Sequence, residues 1–337
     1  MTTKSASQVL GDIGIGVNLG QTFESKMNSR QPAQVRPWLL GIRQKGFGHV
    51  RIPVTWYPGN SHACQLNDAL FMQCLDNSIE YAVKIGLAVI LNTHHEDWII
   101  DGYDGSDLYN VKFKKLWTQI ATRYKRYPQN KLIFEVLNEP SGKFGKPDES
   151  ADSSECIALT RLINLVGLEA IRAVDSTRIV LVQPNAMGNV WSVPKVYPSK
   201  DTLPGSGADK YLGVQFHTYD HYKFCLQAGS NEYYKSLNEL RADIQKRVEM
   251  IKKWHVTIGG NDVVALHLGE FGVGRLDQRQ RDADIVKAYY RLTSLLYRQK
   301  GICVTAWSDG GWFNVASLDS RGTVQFPFGL ADMVIKG

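Results

Sequence analysis

The chain has 337 residues, of which 43% are hydrophobic and 21% charged, and its formal net charge is +6. This composition is that of a globular protein with enough apolar residues for a large core. The apolar runs are too short to span a bilayer, and the sequence has no basic block typical of nucleic-acid binding. We therefore expect neither a membrane nor a nucleic acid as a partner.

Strand-like apolar runs alternate with segments of helical periodicity along the chain. Eight strands in this alternation favour an α/β fold, a single (β/α)8 TIM barrel, and no linker or repeat divides residues 1–337, so we expect one domain. An open doubly wound sheet is the alternative, but no GxGxxG loop follows the first strand. The prolines between residues 184 and 209 predict a long loop with a short helix after the fifth strand. The predicted strands are Ile13–Asn18, Gly48–Val54, Leu87–Thr93, Leu132–Asn138, Arg178–Gln183, Tyr211–His217, Val263–Gly269 and Ile302–Trp307, and the predicted helices are Pro37–Lys45, Asp68–Lys84, Lys112–Tyr127, Ile157–Ala173, Leu237–Trp254 and Ala283–Arg298.

The fourth predicted strand ends in the sequence Asn138-Glu139-Pro140. Because Pro140 cannot donate to a strand ladder, the strand must end there. Asn138 and Glu139 are then left at the carboxyl end of a buried strand, where active sites of α/β barrels lie. A polar strand end closed by a proline turn is the structural alternative.

Polar residues also follow the other predicted strands. In a barrel, all of these strand ends face one mouth, which brings Glu139 and Glu270 together. Two carboxylates are what glycoside hydrolysis requires: one protonates the leaving oxygen, and the other attacks the anomeric carbon or activates a water. The strand-end residues are Arg51 after the second strand, His94, His95 and Glu96 after the third, His217 and Tyr219 after the sixth, Glu270 after the seventh and Trp307 after the eighth.

The charges around the two carboxylates predict different protonation states. If Arg51 approaches Glu270, it keeps that carboxylate ionised, and Glu139 is then the protonated group. His94 and His95 are adjacent and point to opposite faces of a regular strand, so we expect at least one of them in the site. Glu96 is expected on the surface.

Several segments in order resemble glycoside hydrolase family 5, a group of retaining β-glycanases built on the (β/α)8 barrel. The resemblance implies that Glu139 is the acid/base, that Glu270 is the nucleophile and that Asn138 holds the sugar 2-hydroxyl. It further implies that Arg51 and Tyr219 flank Glu270, that His94, His95 and His217 hydrogen-bond around the sugar and that Trp307 forms the floor beneath it. Asn18, in the first matching segment, is also expected at the substrate site. The matching segments are Gly16–Gly20, Val50–Pro53, Asn92–His95, Phe134–Pro140, His217–Tyr219, Gly269–Gly272 and Trp307.

Several other tryptophans lie in or near predicted mouth loops. Sugars stack on aromatic faces, so a glycan cleft needs such platforms. Trp191 and Trp312 are our candidates, with packing as the alternative reading. Trp56 and Trp98 are weaker candidates, and the tryptophans in predicted helices are expected to pack in the core.

The function implied by the resemblance is a retaining endo-β-1,4-glucanase of cellulase type acting on a β-glucan polysaccharide or oligosaccharide. A β-mannanase or another β-glucanase is the alternative, because the motifs do not separate them. A binding-only barrel is disfavoured by the presence of both Glu139 and Glu270. We expect no metal and no organic cofactor, no attached binding module and a monomer. A polysaccharide substrate implies secretion, although the first residues lack a signal peptide.

The five cysteines are widely spaced and contain no CxxC pair, so we expect no zinc site. Cys303 lies in an apolar run and is expected to be buried. The spacing of Cys64 and Cys74 leaves open whether they form a disulfide.

Overall fold

The computed structural model describes residues 3–24, 32–57, 66, 68–147, 149–226 and 229–337. Eight parallel strands form a closed barrel in chain order, and the first strand pairs with both the second and the eighth. The predicted (β/α)8 barrel is confirmed. The strands are β1 (Ile15–Asn18), β2 (His49–Ile52), β3 (Ala88–Asn92), β4 (Leu132–Glu135), β5 (Val180–Val182), β6 (Leu212–Thr218), β7 (Ala265–Phe271) and β8 (Cys303–Ala306), followed by an antiparallel pair, β9 (Ser317–Leu318) and β10 (Val324–Gln325).

Long helices connect most of the strands, and several of them begin with a side-chain cap. Asp68 accepts the backbone N–H of Phe71 at 2.9 Å, and Ser153 and Ser236 cap two further helices in the same way. None of the helices in the described ranges is long and apolar enough to cross a membrane. The long helices are α1 (Ala6–Ile13), α2 (Pro32–Lys45), α3 (Ala69–Lys84), α4 (Asp107–Tyr124), α5 (Ser154–Val174), α6 (Leu237–Thr257), α7 (Asp284–Arg298) and α8 (Leu330–Lys336).

Short helices occupy many of the connections between these elements. The segment after β5 contains five of them in succession, where the prolines predicted a long loop with one short helix. The short helices after β5 are Asn185–Gly188, Val190–Ser192, Val193–Val196, Lys200–Thr202 and Pro204–Gly207, and the others are Asp97–Ile100, Gly142–Phe144, Glu149–Asp152, Tyr222–Cys225, Gly260–Asp262, Gln278–Asp282 and Pro327–Gly329.

Helix α1 closes the bottom of the barrel. Its side chains Val9, Leu10 and Ile13 are buried against the inward-facing Ile90 and Ile133. The sequence analysis missed this helix and began the first strand at Ile13, which is wrong. Ile13 is apolar because it lies on the buried face of α1, one turn from Val9 and Leu10.

The outward faces of the strands form the main core together with the long helices. Val17, Val50, Val89 and Phe134 alternate with inward-facing residues and are fully buried against the helices. Trp38, Trp117 and Trp254 also belong to this core, as expected from their positions in predicted helices.

The middle of the barrel interior contains polar side chains. His49, His267 and Thr305 are fully buried there, and both histidine Nε2 atoms lie 2.7 Å from Thr305 Oγ1. Gly16 provides space for the His49 ring: a Cβ added at Gly16 would lie 2.1 Å from His49 Nε2. The absence of a side chain on β1 is therefore required by a residue on β2.

This close approach predicts opposite effects for two glycine-to-alanine substitutions. Gly16→Ala should lower the free energy of unfolding by about 1–3 kcal/mol, since the added methyl group overlaps the His49 ring. Gly11→Ala is the matched control, because nothing lies within 4 Å of a Cβ there, and alanine in a helix should add about 0.5–1 kcal/mol. Urea unfolding measures both; equal stabilities of the two variants would contradict the packing argument.

Candidate active site

The buried guanidinium of Arg51 lies at the centre of the polar cluster at the carboxyl end of the barrel. Its Nε and Nη2 atoms donate to the two carboxylate oxygens of Glu135, each at 2.7 Å, and its Nη1 donates to Glu270 Oε1 at 2.6 Å. Arg51 and Glu135 are completely buried. A buried charge is tolerated only when it is paired, so strands β2, β4 and β7 are joined at this point.

Two asparagines complete the hydrogen bonding of Arg51. Nη1 also donates to Asn18 Oδ1 at 2.8 Å, and Nη2 donates to Asn138 Oδ1 at 2.7 Å. The amide nitrogen of Asn18 donates to the carbonyls of Gly269 at 3.0 Å and Ala306 at 3.2 Å. Asn18 therefore lies fully buried beside Arg51 and connects β1 with β7 and β8.

Glu135, a member of this cluster, had no assigned role in the sequence analysis. Its carboxylate also accepts from Asn92 Nδ2 at 3.0 Å and from Gln183 Nε2 at 2.8 Å. Burial opposes ionisation, but the charge and hydrogen bonds of Arg51 together with His217 and the Asn92 hydrogen bond outweigh it and hold the pKa of Glu135 below its ordinary value. Its sequence signal is an inward-facing position, two residues after the inward-facing Ile133, that carries a carboxylate instead of an aliphatic side chain.

A β-bulge sets the position of Glu270. Phe216 pairs with Leu268, but His217 pairs with Glu270, so Gly269 is the extra residue on β7. Tyr219 donates its hydroxyl hydrogen to Glu270 Oε2 at 2.8 Å. Burial raises the pKa of Glu270, and the nearby His217, Arg51 and the Tyr219 hydrogen bond act against that rise.

Glu139 follows β4 and has a different environment. Its φ angle is +47°, in the left-handed region, and its backbone N–H donates to Gln183 Oε1 at 3.0 Å, which helps hold this strained conformation. Its Oε1 lies 2.8 Å from His217 Nδ1, and 22% of its side chain is exposed to the cleft. Desolvation by the surrounding protein raises the pKa of Glu139 to about 7, opposed by Arg51 and reinforced by the charge of Glu135.

The two carboxylates approach each other at the mouth. One oxygen of Glu139, one oxygen of Glu270 and a ring nitrogen of His217 all lie within 4.8 Å of one another. Glu270 receives hydrogen bonds from Arg51 and Tyr219, whereas the side chain of Glu139 is hydrogen-bonded to His217 and faces the cleft. Unequal environments of this kind separate the protonation states of two neighbouring carboxyl groups.

The two adjacent histidines after β3 lie in different surroundings. His94 is buried, and its ring is parallel to that of Trp307 with centroids 6.0 Å apart. His95 is exposed, and its ring is nearly perpendicular to that of His94, with the two ring centroids 4.5 Å apart. Trp307 is half-buried at the end of β8, so its indole and His94 line the same part of the mouth.

The surface position expected for Glu96 is wrong. Glu96 is completely buried and accepts hydrogen bonds from the backbone N–H of Trp56 at 2.6 Å and from Trp98 Nε1 at 2.7 Å. Burial raises its pKa to about 7 despite these hydrogen bonds. Trp98 is two residues along the chain, but Trp56 comes from the loop after β2, which the sequence next to Glu96 does not reveal. Trp56 and Trp98 are buried with it, so neither offers an open face to a sugar.

The other two candidate platforms remain partly exposed. Trp191 lies after β5, with Lys246 Nζ at 5.7 Å from its ring centroid. Trp312 lies in the loop after β8 and contacts Phe313, whose ring in turn meets the edge of Tyr219. Their role as sugar platforms stays a prediction.

The four cysteines in the described part of the chain are free thiols. Cys303 is buried, as expected, and Cys74 is buried in α3. Cys64, the possible disulfide partner of Cys74, lies outside the described residues, so the predicted alternative of a Cys64–Cys74 disulfide also falls outside them.

A parallel (β/α)8 barrel with two carboxylates of unequal environment at its carboxyl end has the architecture of a barrel glycoside hydrolase. The comparison with family models gives the particular family. The chain belongs to glycosyl hydrolase family 5, since the cellulase model of that family matches residues 20–311.

Individual proteins of known identity are similar over most of the chain. The cellulase/esterase CelE of Acetivibrio thermocellus is 28% identical over 319 residues, which cover 92% of this chain but only 37% of that protein. A broad-specificity endoglucanase structure from Clostridium longisporum aligns with a TM-score of 0.81 at 24% identity, covering 99% of this chain and 98% of that one. A broad-specificity endoglucanase from Ruminococcus champanellensis with bound cellotriose has a TM-score of 0.80 at 24% identity, covering 100% and 99% of the two chains. At this identity, the structures establish a common fold.

The buried ion pair predicts two effects of Glu135→Gln. Loss of the buried charge partner of Arg51 should cost about 3–5 kcal/mol of unfolding free energy. It should also lower the pKa of Glu139, because the negative charge of Glu135 raises that pKa. Chemical denaturation and a ¹³C NMR titration of labelled glutamates measure these changes.

Glu169→Gln is the matched control, since Glu169 forms only an exposed ion pair with Lys114 at 3.7 Å. Exposed pairs contribute about 0–1 kcal/mol, so this variant should resemble the wild type. An unchanged Glu139 titration in Glu135→Gln would show that the two carboxylates are not electrostatically coupled.

Proposed function

We propose that this protein is a retaining endo-β-1,4-glucanase that hydrolyses internal β-1,4 bonds of cellulose-type glucans. The observation that carries the proposal is the approach of Glu139 and Glu270 oxygens to within 4.8 Å in a family 5 barrel. Retaining glycosidases hold their carboxyl groups about 5–5.5 Å apart, whereas inverting enzymes need about 6.5–9.5 Å for an intervening water. The short approach favours direct attack by one carboxylate on the sugar.

In the proposed first step, Glu270 attacks the anomeric carbon and Glu139 protonates the departing glycosidic oxygen. Glu270 suits the nucleophile because Arg51 and Tyr219 donate hydrogen bonds to its carboxylate. Glu139 suits the acid because its pKa is raised to about 7, so that it carries a proton in mildly acidic solution. The products are a glycosyl–Glu270 ester, ionised Glu139 and the released sugar chain.

In the second step, the ionised Glu139 takes a proton from a water that attacks the anomeric carbon. The bond to Glu270 breaks, its carboxylate is restored, and the anomeric configuration of the substrate is retained. His217 supports both steps, because its Nδ1 lies 2.8 Å from Glu139 and 3.6 Å from Glu270.

The remaining site residues fit contacts to the sugar or to the catalytic pair. Asn138 lies between Arg51 and His94 and is proposed to hold the sugar 2-hydroxyl. Trp307 is proposed as the floor beneath the sugar, with His94 and His95 beside it. Asn18 acts through Arg51, to which it is hydrogen-bonded.

The preferred polymer is proposed to be a cellulose-type glucan, with a β-mannanase or another β-glucanase as the alternative. A glucan is favoured because cellotriose is bound in a similar endoglucanase structure and because the relatives carry cellulase or endoglucanase names. Since the chain spans 37% of the first relative's length, activities of that whole protein do not transfer to it. A polymeric substrate outside the cell would require export of the enzyme.

Hydrolysis of a panel of soluble polysaccharides tests this proposal. We expect products from carboxymethyl cellulose and mixed-linkage β-glucan, with an early fall in chain length because internal bonds are cleaved. The first products should have the β configuration when followed by ¹H NMR. Faster hydrolysis of mannan would favour the alternative, α products would exclude retention, and tight binding without products would indicate a binding barrel.

Azide rescue tests the roles of the two carboxylates. Glu139→Ala should turn over substrates with poor leaving groups at least a hundredfold more slowly, since general acid catalysis contributes about 10²–10⁴-fold. An aryl glycoside with a good leaving group should still form the intermediate, and added azide should release a β-glycosyl azide. Glu270→Ala is the comparison: if it yields the β-azide instead, the two roles are reversed.

A further inference from the structure

A continuous series of hydrogen-bonded side chains descends from Glu139 through the interior of the barrel. Its members come from β6, β7, β8 and β2, and the five below Glu139 are at most 2% exposed. The atom pairs along this interior column are Glu139 Oε1 and His217 Nδ1 at 2.8 Å, His217 Nε2 and Gln215 Nε2 at 3.4 Å, Gln215 Oε1 and His267 Nδ1 at 2.6 Å, His267 Nε2 and Thr305 Oγ1 at 2.7 Å, and Thr305 Oγ1 and His49 Nε2 at 2.7 Å.

Gln183 fixes the direction of the hydrogen bond at the top of the interior column. Its Oε1 accepts the backbone N–H of Glu139, and its Nε2 donates to the carboxylate of Glu135. The Gln183 amide group is therefore oriented, and its N–H group faces His217 Nε2 at 3.4 Å. Burial lowers the pKa of His217 to about 4, so the ring is neutral, and an N–H donor opposite Nε2 favours the tautomer whose proton lies on Nδ1 and is donated to Glu139. The Gln183 contact is long, so this tautomer also depends on the lower members of the column.

The lower members continue in the same direction. The Gln215 N–H also faces His217 Nε2, so its Oε1 accepts from His267 Nδ1. Burial lowers the pKa of His267 well below its ordinary range and that of His49 to about 4, so both rings are neutral. Neutral His267 then accepts the Thr305 hydroxyl hydrogen at Nε2, so Thr305 must accept from His49 Nε2. In this tautomer His49 Nδ1 carries no hydrogen, and its longer contact with the Ile13 carbonyl oxygen, at 3.4 Å, is not a hydrogen bond. Each donor points towards Glu139.

The interior of the barrel is built to accommodate these polar groups. Interior layers of such barrels consist mainly of branched aliphatic residues, and buried polar groups cost stability unless they are hydrogen-bonded. Here, Gly16 leaves room for the His49 ring, and a Cβ at Gly269 would lie 2.4 Å from Gln215 Nε2. Strands β1 and β7 thus each have a glycine at the point where a residue of the interior column packs against them.

We propose that the interior column holds the ring proton of His217 on Nδ1, so that His217 always presents a hydrogen-bond donor to Glu139. Gln215, His267 and Thr305 are then positioning residues that act on the carboxyl group through His217. This inference deepens the proposed function, and its effect on catalysis depends on Glu139 being the acid/base. The tautomer itself does not depend on that role.

The donor has a defined effect on the pH dependence of the reaction. A hydrogen bond to the ionised carboxylate favours that form, so it lowers the pKa of Glu139. Loss of the donor should raise this pKa, and the basic limb of kcat/KM should move to higher pH. The titratable groups that face Glu139 and His217 from neighbouring elements, and that must remain unchanged in the comparison, are Arg51, His94, Glu135, Tyr219 and Glu270.

Thr305→Val tests the proposal, because it removes the hydroxyl group and nearly conserves the shape. Without that donor, His267 can move its proton to Nε2, which turns the Gln215 amide and brings its oxygen to His217 Nε2. In ¹⁵N-histidine NMR spectra without substrate, we expect His217 to change from Nδ1–H towards Nε2–H. The basic limb of kcat/KM should move up by a few tenths of a pH unit.

Two matched variants separate hydrogen bonding from packing. Thr305→Ser keeps the hydroxyl group and should restore the His217 spectrum and the position of the basic limb. Val304→Ala changes a buried residue of β8 that packs in the main core outside the barrel interior and should also keep both. If Thr305→Val does not fold, Gln215→Met removes the donor to His217 at nearly constant volume, and the same shifts are expected.

Three results would overturn the proposal. The first is a wild-type His217 protonated on Nε2. The second is an unchanged tautomer in the folded Thr305→Val or Gln215→Met variant, which would mean that Gln183 alone sets it. The third is an equal shift of the basic limb in Val304→Ala. Because the spectra need no substrate, a chain that fails to hydrolyse any glucan would refute the proposed function while leaving this inference testable.

Discussion

The buried charge of Arg51 is the constraint on which the rest of the site depends. A guanidinium without solvent must find its partners within the protein, and Arg51 finds two carboxylates and two amide oxygens on or directly after three other strands. These contacts fix the relative positions of β1, β2, β4 and β7 at the mouth. Specific polar geometry, and not only apolar burial, therefore determines how this end of the barrel closes.

The same charge makes the two mouth carboxylates unequal. Glu270 shares Arg51 with Glu135 and receives a further hydrogen bond from Tyr219, whereas Glu139 lies outside this set and contacts His217. The bulge at Gly269 brings Glu270 into line with His217. A one-residue irregularity in a strand and one buried cation together create two carboxyl groups with different affinities for a proton.

The interior of the barrel changes in character from bottom to top. Helix α1 closes an apolar base, a polar layer of His49, His267 and Thr305 follows, and the charged cluster around Arg51 lies above it. The polar layer contains neutral rings, so it adds direction to the hydrogen bonding without adding charge beneath the carboxylates. Because cooperative hydrogen bonds strengthen one another in a low-dielectric interior, such a layer can transmit orientation from the base to the mouth.

The sequence by itself determined the barrel and the strand ends that meet at its mouth. Alternation of strands and helices is a local pattern, and Pro140 cannot donate to a strand ladder whatever the rest of the chain does; β4 itself already ends at Glu135. It did not determine the pairing of Glu135 with Arg51, the burial of Glu96 or the apolar plug made by α1. Each of these depends on contacts between segments far apart in the chain. The sequence shows that a carboxylate is present, but it does not show whether that carboxylate is hydrated or paired with a buried arginine. Only the closed tertiary structure decides which polar residues lose their water, and with it their ordinary pKa.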